Sequence, residues 1–280
     1  MSSTKPAVPA SAAPADFEIM LPEFGHHLDQ DEEWCDVVME GERRRVRFHD
    51  YHEIYGIPGL YERLFCDLLQ CQSPQVIRHL LAQVLAERGT EPGELRVLDV
   101  GAGNGMVGEE LRELGGGAIF GVDIIDEAAA AAQRDRPGVY DHYFVADLTD
   151  LTSDQREFLV RADLNTMTTV AALGFGDIPP SAFAAAYNLI SAPGLVAFTI
   201  KENFVTECDL SGFGGLIRRM LDGGIIRFLA ERRYRHRLSV REEPLYYLAF
   251  VGEKVSDIPQ SWLGDPRGTS PVMREPAIGE

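Results

Sequence analysis

The rhythm of apolar and polar positions changes once along this chain. In the segment His49 to Leu69, after Pro58, and again through Val76, Leu80, Leu81, Val84 and Leu85, apolar and aromatic side chains recur at helical spacing. Pro58 and Pro74 stand near the starts of these two runs, where a proline suits a helix N-terminus. Upstream, Asp29, Asp31, Glu32 and Glu33 read as an exposed acidic loop. Glu42 to Phe48 alternates poorly and reads as a short strand or a helix edge. Gly89 and Pro92-Gly93 then break the chain.

Beyond that break, short apolar runs alternate with helical ones. Strands are expected at Leu95–Val100, Ala118–Ile125, Tyr143–Ala146, Thr166–Ala172 and Gly194–Ile200. The helices between them are expected at Val107–Leu114, Glu127–Arg134, Ser153–Arg161 and Ser181–Leu189. Continuously apolar strands alternating with helices imply an α/β fold, a parallel sheet covered on both faces. A helix over Ser211–Leu221 and two strands, Arg235–Val240 and Leu245–Val251, follow. Their short connection through Glu242, Glu243 and Pro244 makes the last pair antiparallel.

Composition adjusts this picture at its margins. Residues 1–16 are small, polar and proline-bearing and read as a disordered leader without the features of a signal peptide. Residues 256–280 read as a flexible tail. No apolar run is long enough to span a bilayer, so a cytoplasmic protein without a membrane partner is expected. The 44 acidic residues against 26 basic ones repel a phosphate backbone and argue against nucleic acid. Two local arginine clusters, Arg43, Arg44, Arg45 and Arg47, and Arg232, Arg233, Arg235 and Arg237, are either solvated faces or a hold for an anionic substrate. Cys35, Cys66, Cys71 and Cys208 form no C-x-x-C pair, so free thiols and no metal site are expected.

The candidate chemistry sits at strand ends. An open α/β sheet binds ligands beyond the carboxyl ends of its strands. The first strand ends Val97-Leu98-Asp99-Val100-Gly101-Ala102-Gly103-Asn104-Gly105, a glycine turn into a helix. The nicotinamide and flavin fingerprint is G-x-G-x-x-G, and here its third position is Met106. The second strand ends in Gly121-Val122-Asp123-Ile124, about 20 residues past the glycines, where an acid can hold ribose hydroxyls. The third ends in Val145-Ala146-Asp147-Leu148, where an acid can accept from an adenine amino group beside apolar neighbours. Single acids of this kind often cap helices, a role that suits Asp126. Three acids at three successive strand ends, with the glycine turn, are harder to read as caps.

On these residues the chain resembles the class I S-adenosylmethionine (SAM)-dependent methyltransferases, over about Arg96 to Val251. The motifs are VLDVGAGNG, GVD, ADL and the closing antiparallel hairpin. Within the class it looks most like the small-molecule methyltransferases of the Williams–Beuren-region methyltransferase-like family. That likeness rests on VLDVGAGNGMVGEEL, GVYDHYFVADLTD and GFGDIPPSAFAAAYNLISAPGLVAF. Members often carry histidines before the Ile-Pro-Pro turn, where this chain has Phe175, Gly176 and Asp177.

The resemblance implies a Rossmann-like sheet of seven strands over residues 92–255, with an N-terminal helical cap or lid over residues 17–91. Its lid helices run from about Asp50 to Arg88. It implies SAM as cofactor and a small-molecule methyl acceptor. Gly101, Ala102 and Gly103 would pass under the methionine part, and Asp99 would act on its amino group directly or by water. Asp123 would hold the ribose. Asp147 would hold the adenine, flanked by Ile124 and Leu148. Backbone at Val170 and Ala171 would approach the sulfonium. Because SAM carries an activated methyl group, the main task is alignment of the acceptor. A base is needed only for a protonated acceptor, and candidates are His49, His52, Tyr51, Tyr55 and Lys201, with Glu202 beside it. A tyrosine of the cap, Tyr51, Tyr55 or Tyr61, could instead face the sulfonium. The alternatives are a non-catalytic SAM-binding regulatory protein and a nucleotide-dependent oxidoreductase.

Overall fold

The computed structural model describes residues 16–22, 28–205 and 212–263. Residues 1–15 of the expected leader, most of the expected tail, Cys208 and Ser211 lie outside the described residues. Strands β4 (Arg96–Val100), β5 (Ala118–Asp123), β6 (His142–Val145), β7 (Thr166–Leu173) and β8 (Gly194–Lys201) are parallel neighbours in one sheet. With β9 (Ile226–Leu238) and β10 (Pro244–Lys254) the sheet has seven strands in the order β6-β5-β4-β7-β8-β10-β9. Each crossover carries a helix: α3 (Met106–Leu114), α4 (Asp126–Asp135), α5 (Ser153–Arg161) and α6 (Pro180–Leu189). Helix α7 (Phe213–Asp222) precedes the final hairpin. The pair is antiparallel as expected but longer, because β9 begins at Ile226 and β10 inserts between β9 and β8.

Strand alternation divides the core. Leu98 and Val100 of β4 point to one face, where Leu159, Phe183, Tyr187, Phe213 and Met220 pack. Val97 points to the other, with Leu111 and Ile119. Helix α2 (Ser73–Arg88) covers this second face with Ile77, Leu80, Leu81, Val84 and Leu85, all at most 2 % exposed. The expected lid boundary near residue 91 therefore runs through a packed core. Helix α2 is a layer of the sheet domain, because its apolar stripe has no other surface to bury against.

The cap is not wholly helical. Strands β1 (Phe17–Met20), β2 (Trp34–Met39) and β3 (Glu42–Arg47) form a separate antiparallel sheet. Its pattern is hard to read because charged residues fill the exposed face of β3, where only Val46 is buried. Helix α1 (Tyr51–Gly56) ends before Pro58, and a π-helical segment, Glu62–Leu68, follows it. The helix thus starts ahead of the proline expected to open it. Ile54, Leu60, Leu64 and Phe65 of this stretch bury with Phe17, Val37, Val46 and Phe48 in a second, smaller core.

Candidate functional site

The sheet changes winding direction between β4 and β7, and the chain leaves both strands toward the same crevice. Beyond β4, Gly101 (φ 70°) and Gly103 (φ 52°) adopt the left-handed conformation that glycine tolerates at no cost. A Cβ on Gly101 would come within 3.0 Å of Ala172 Cβ and Ile178 Cδ1, and one on Gly103 would overlap the Tyr55 hydroxyl. Both neighbours close on bare backbone. The N–H groups of Gly101 and Ala102 donate to the Val122 carbonyl at 2.9 and 3.1 Å, tying the turn to β5.

The crevice holds a cavity of about 380 Å³. The strand ends contribute Val100, Gly101, Val122, Asp123, Ile124, Ala146, Asp147, Leu148 and Val170–Ala172 to its lining. The cap contributes His49, Tyr51, His52, Tyr55 and Tyr61, and the turn before α6 contributes Asp177, Ile178 and Pro179. Among the described residues no lysine or arginine lines it. The rings of Tyr51, Tyr55 and Tyr61 stack in sequence at 5.9 and 5.2 Å, and burial pushes all three hydroxyls upward in pKa.

Asp123 accepts from the Gly103 N–H at 3.0 Å through one oxygen, and from Ile124 and Ile125 N–H at 2.8 and 3.3 Å through the other. Burial raises its pKa against these bonds. An ionised carboxylate offers about four acceptor sites, so a further donor can still be met. Asp147 uses one oxygen for Thr149, from N–H at 2.8 Å and Oγ1 at 2.7 Å, which leaves Oδ2 without a protein partner among the described residues. Ile124 is 64 % exposed, an apolar side chain presented at a cavity wall. In β7 the pairing with β8 shifts register after Thr169, and Ala171 stands at φ 56° with its N–H on Thr199 Oγ1 at 2.7 Å. This irregularity turns the backbone of Val170–Ala172 into the cavity.

Of the expected cofactor residues, Gly101, Asp123, Ile124, Asp147, Leu148 and Val170 meet in the cavity wall. Asp99, Ala102 and Gly103 do not line it. Asp99 follows Val97 onto the α2–α3 face and is 1 % exposed, accepting from Tyr140 OH and Thr168 Oγ1 at 2.7 Å each. A buried carboxylate must find donors, and both of these meet it on the buried face, outside the cavity lining. Burial raises its pKa from 3.8 to about 6. Asp99 braces the strand end and does not reach into the cavity. Asp126 does not cap α4 either: it is the first helical residue, and the cap position is Ile125, which makes no side-chain bond.

The candidate bases separate. His49 lines the cavity with its side chain 17 % exposed, whereas His52, at 59 %, sits at the rim beside Glu53. Lys201 stands outside the lining, its ammonium over Phe175 and Phe204 at 5.0 and 5.7 Å, and burial lowers its pKa. Glu202 pairs with Arg233 at 2.7 Å, not with Lys201. Neither arginine cluster reaches the cavity. Arg43 and Arg45 pair with Asp36, Arg44 with Glu53, and Arg237 with buried Glu33. Among the described residues no group of three or more His, Cys, Asp or Glu side chains could hold a metal.

Two features were not anticipated from sequence. Asp177 Oδ2 lies 3.1 Å from His49 Nδ1, joining residues 128 positions apart. The only hint was an acid in the glycine-rich turn after the fourth strand. Glu62 of the π-helical segment accepts from Asn104 Nδ2 at 2.6 Å and Arg136 Nη1 at 2.8 Å, locking the cap onto the glycine turn. Its Oε2 is buried and has no hydrogen-bond partner among the described residues.

No family model matches this chain, and no curated protein matches it. Similar solved structures include magnesium protoporphyrin IX methyltransferase (ChlM) from Synechocystis PCC 6803 with bound SAM. It is 17 % identical over 65 % of this chain and 79 % of that one, with a TM-score of 0.45. A SAM-dependent methyltransferase from Clostridium acetobutylicum is 11 % identical over 70 % of this chain and 96 % of its own, with a TM-score of 0.47. The ribosomal protein L11 methylase from Lactobacillus delbrueckii subsp. bulgaricus is 18 % identical over 62 % and 77 %, with a TM-score of 0.41.

Proposed function

We propose that this protein binds SAM in the cavity beyond β4–β7 and transfers its methyl group to a small acceptor seated beneath the cap. The observation that carries the reading is the convergence of Asp123, Asp147 and the bare backbone of Gly101 on one cavity, opposite three stacked tyrosines. The residues present fit the cofactor. Asp123 keeps an acceptor site for ribose hydroxyls, and Asp147 Oδ2 is free for the adenine amino group, with Ile124 and Leu148 as apolar neighbours. Gly101 gives close backbone approach. Tyrosine faces suit a sulfonium, at about 0.5–2 kcal/mol per contact. When bound, SAM supplies an electrophilic methyl group on sulfur, and the protein's own work is to orient the acceptor and exclude water.

A small acceptor follows from size. A cavity of about 380 Å³ is near the lower end of small-ligand sites, about 300–1,000 Å³. Once a nucleoside occupies it, little space remains. The test is calorimetric titration with S-adenosylhomocysteine (SAH), of the parent and of Asp123→Ala, with NADH titrated alongside. Binding of SAH by the parent, at least tenfold weaker in the variant, is expected. A folded parent that ignores SAH, or one that takes NADH in its place, ends the proposal. SAH binding without methyl transfer to any small molecule would favour a regulatory SAM-binding role.

A further inference from the structure

The geometry points to His49, held by Asp177, as the general base of the reaction, and to a neutral aromatic hydroxyl compound as the acceptor. This rests on the methyl-transfer reading above and extends it to the chemistry of the second substrate.

The dyad is built from two distant segments. His49 ends the turn after β3, and Asp177 lies in the turn between β7 and α6. Both line the cavity, and Nδ1 faces Asp177 Oδ2 at 3.1 Å. A carboxylate only accepts, so Nδ1 carries the proton, and the neutral ring is left with Nε2 as an acceptor. Among the described residues Nε2 has no hydrogen-bond partner. The ring is wedged between Tyr51 at 5.8 Å and Phe175 at 5.1 Å, which limits its rotation. A histidine whose one nitrogen is oriented by an acid, and whose other is free at a cavity, has the arrangement of a general base. Asp177 is its positioning residue.

The lining then selects the acceptor. Among the described residues no lysine or arginine lines the cavity to neutralise a carboxylate or phosphate on the substrate. The carboxylates are accounted for otherwise: Asp177 by His49, and Asp123 and Asp147 by the nucleoside. A cationic amine would therefore find no free partner. The tyrosines and Ile178, Pro179 and Ala182 offer flat and apolar surface. A planar apolar body bearing one ionisable hydroxyl is the chemistry that remains.

The step balances without a further reagent. His49 Nε2 removes the hydroxyl proton. The oxygen pair forms the O–CH3 bond as the C–S bond breaks and its electron pair returns to sulfur. The products are the methyl ether, SAH and a proton, which leaves the imidazolium to solvent. The groups facing His49 are Asp177 from the turn before α6, Tyr51 from α1, and Lys201 of β8 behind Phe175. His52 and Asp123 line the same cavity.

The experiment compares two probe phenols with labelled SAM. 4-Methylphenol is protonated at the assay pH and needs a base. 4-Nitrophenol, assayed where it is ionised, does not. The expected result is that His49→Gln lowers kcat/KM for 4-methylphenol by about 10²–10⁴-fold. Turnover of 4-nitrophenol should stay within a few-fold, and the variant should still bind SAH. Asp177→Asn should retain part of the activity and move the acidic limb of the kcat/KM profile to lower pH, which loss of packing alone would not do. Equal losses on both phenols, or none on 4-methylphenol, would overturn the base. SAH binding with turnover of neither phenol would overturn the acceptor class. Failure of the parent to bind SAH would remove the methyl-transfer reading, and this inference with it.

Discussion

Asp99 shows how a motif residue can take a role other than the one its position suggests. The glycine turn places an acid at the end of β4, but strand alternation carries it onto the buried face with Val97. There, burial opposes the negative charge more than Tyr140 and Thr168 favour it, and the pKa rises from 3.8 to about 6. The folded state then holds a proton that the unfolded chain releases earlier. Stability from this group is full below about pH 4, falls as pH rises to about 6, and is level above that. At about 1.4 kcal/mol per pH unit, the loss is about 3 kcal/mol. Urea midpoints of the parent and Asp99→Asn, measured from pH 4 to 7, should diverge across this window, with the variant gaining on the parent as pH rises. Parallel curves would mean that water reaches the carboxyl.

Among the elements, the join between the cap and the hairpin contains a buried ion pair. Arg237 of β9 is directed into the cap core, its guanidinium 5.5 Å from the Phe48 ring. Glu33 receives Arg237 Nη2 at 2.5 Å and the Val240 N–H at 2.7 Å, with both charged side chains at most 4 % exposed. Charges taken from water are costly to strand, and removing one member of such a pair typically costs about 3–5 kcal/mol. Glu33→Ala should therefore lower unfolding free energy by about that much, read from denaturant melts. A loss under about 1 kcal/mol would show that the pair is solvated in solution. The pair also accounts for Arg237 of the second arginine cluster. Arg233 pairs on the strand surface with Glu202, Arg235 donates to Gln70 at the end of the cap, and Arg237 is buried against Glu33. Sequence spacing alone could not separate them.

For the whole molecule, the N-terminal region is two things, divided near residue 72. Helix α2 closes one face of the sheet, and the segment before it carries the aromatic wall of the cavity. Removing residues 1–91 would expose the surface beneath Ile77, Leu80, Leu81, Val84 and Leu85. Five such side chains at about 2 kcal/mol each approach the whole stability of a domain, about 5–15 kcal/mol. A chain beginning near Pro92 should lack a cooperative thermal transition. A soluble, cooperatively melting fragment would show that α2 is dispensable. In either case, loss of activity on truncation says nothing about lid motion, because the same cut removes part of the core.

The order of strands and helices from β4 to β8 was legible in the sequence because each element is local. A buried parallel strand reads as an apolar run, an amphipathic helix as a period, and a glycine turn as the break between them. The acids at successive strand ends were legible for the same reason, since a parallel sheet aligns its carboxyl ends. The cap sheet was not, because β3 carries one buried residue among five exposed ones and its pairing is what makes it a strand. Nor was the face taken by Asp99, which depends on what packs against the sheet. Only the tertiary structure brought His49 to Asp177 and Glu62 to the glycine turn. These contacts join residues 128 and 42 positions apart through turns whose course is set by packing, and no local pattern encodes such a meeting.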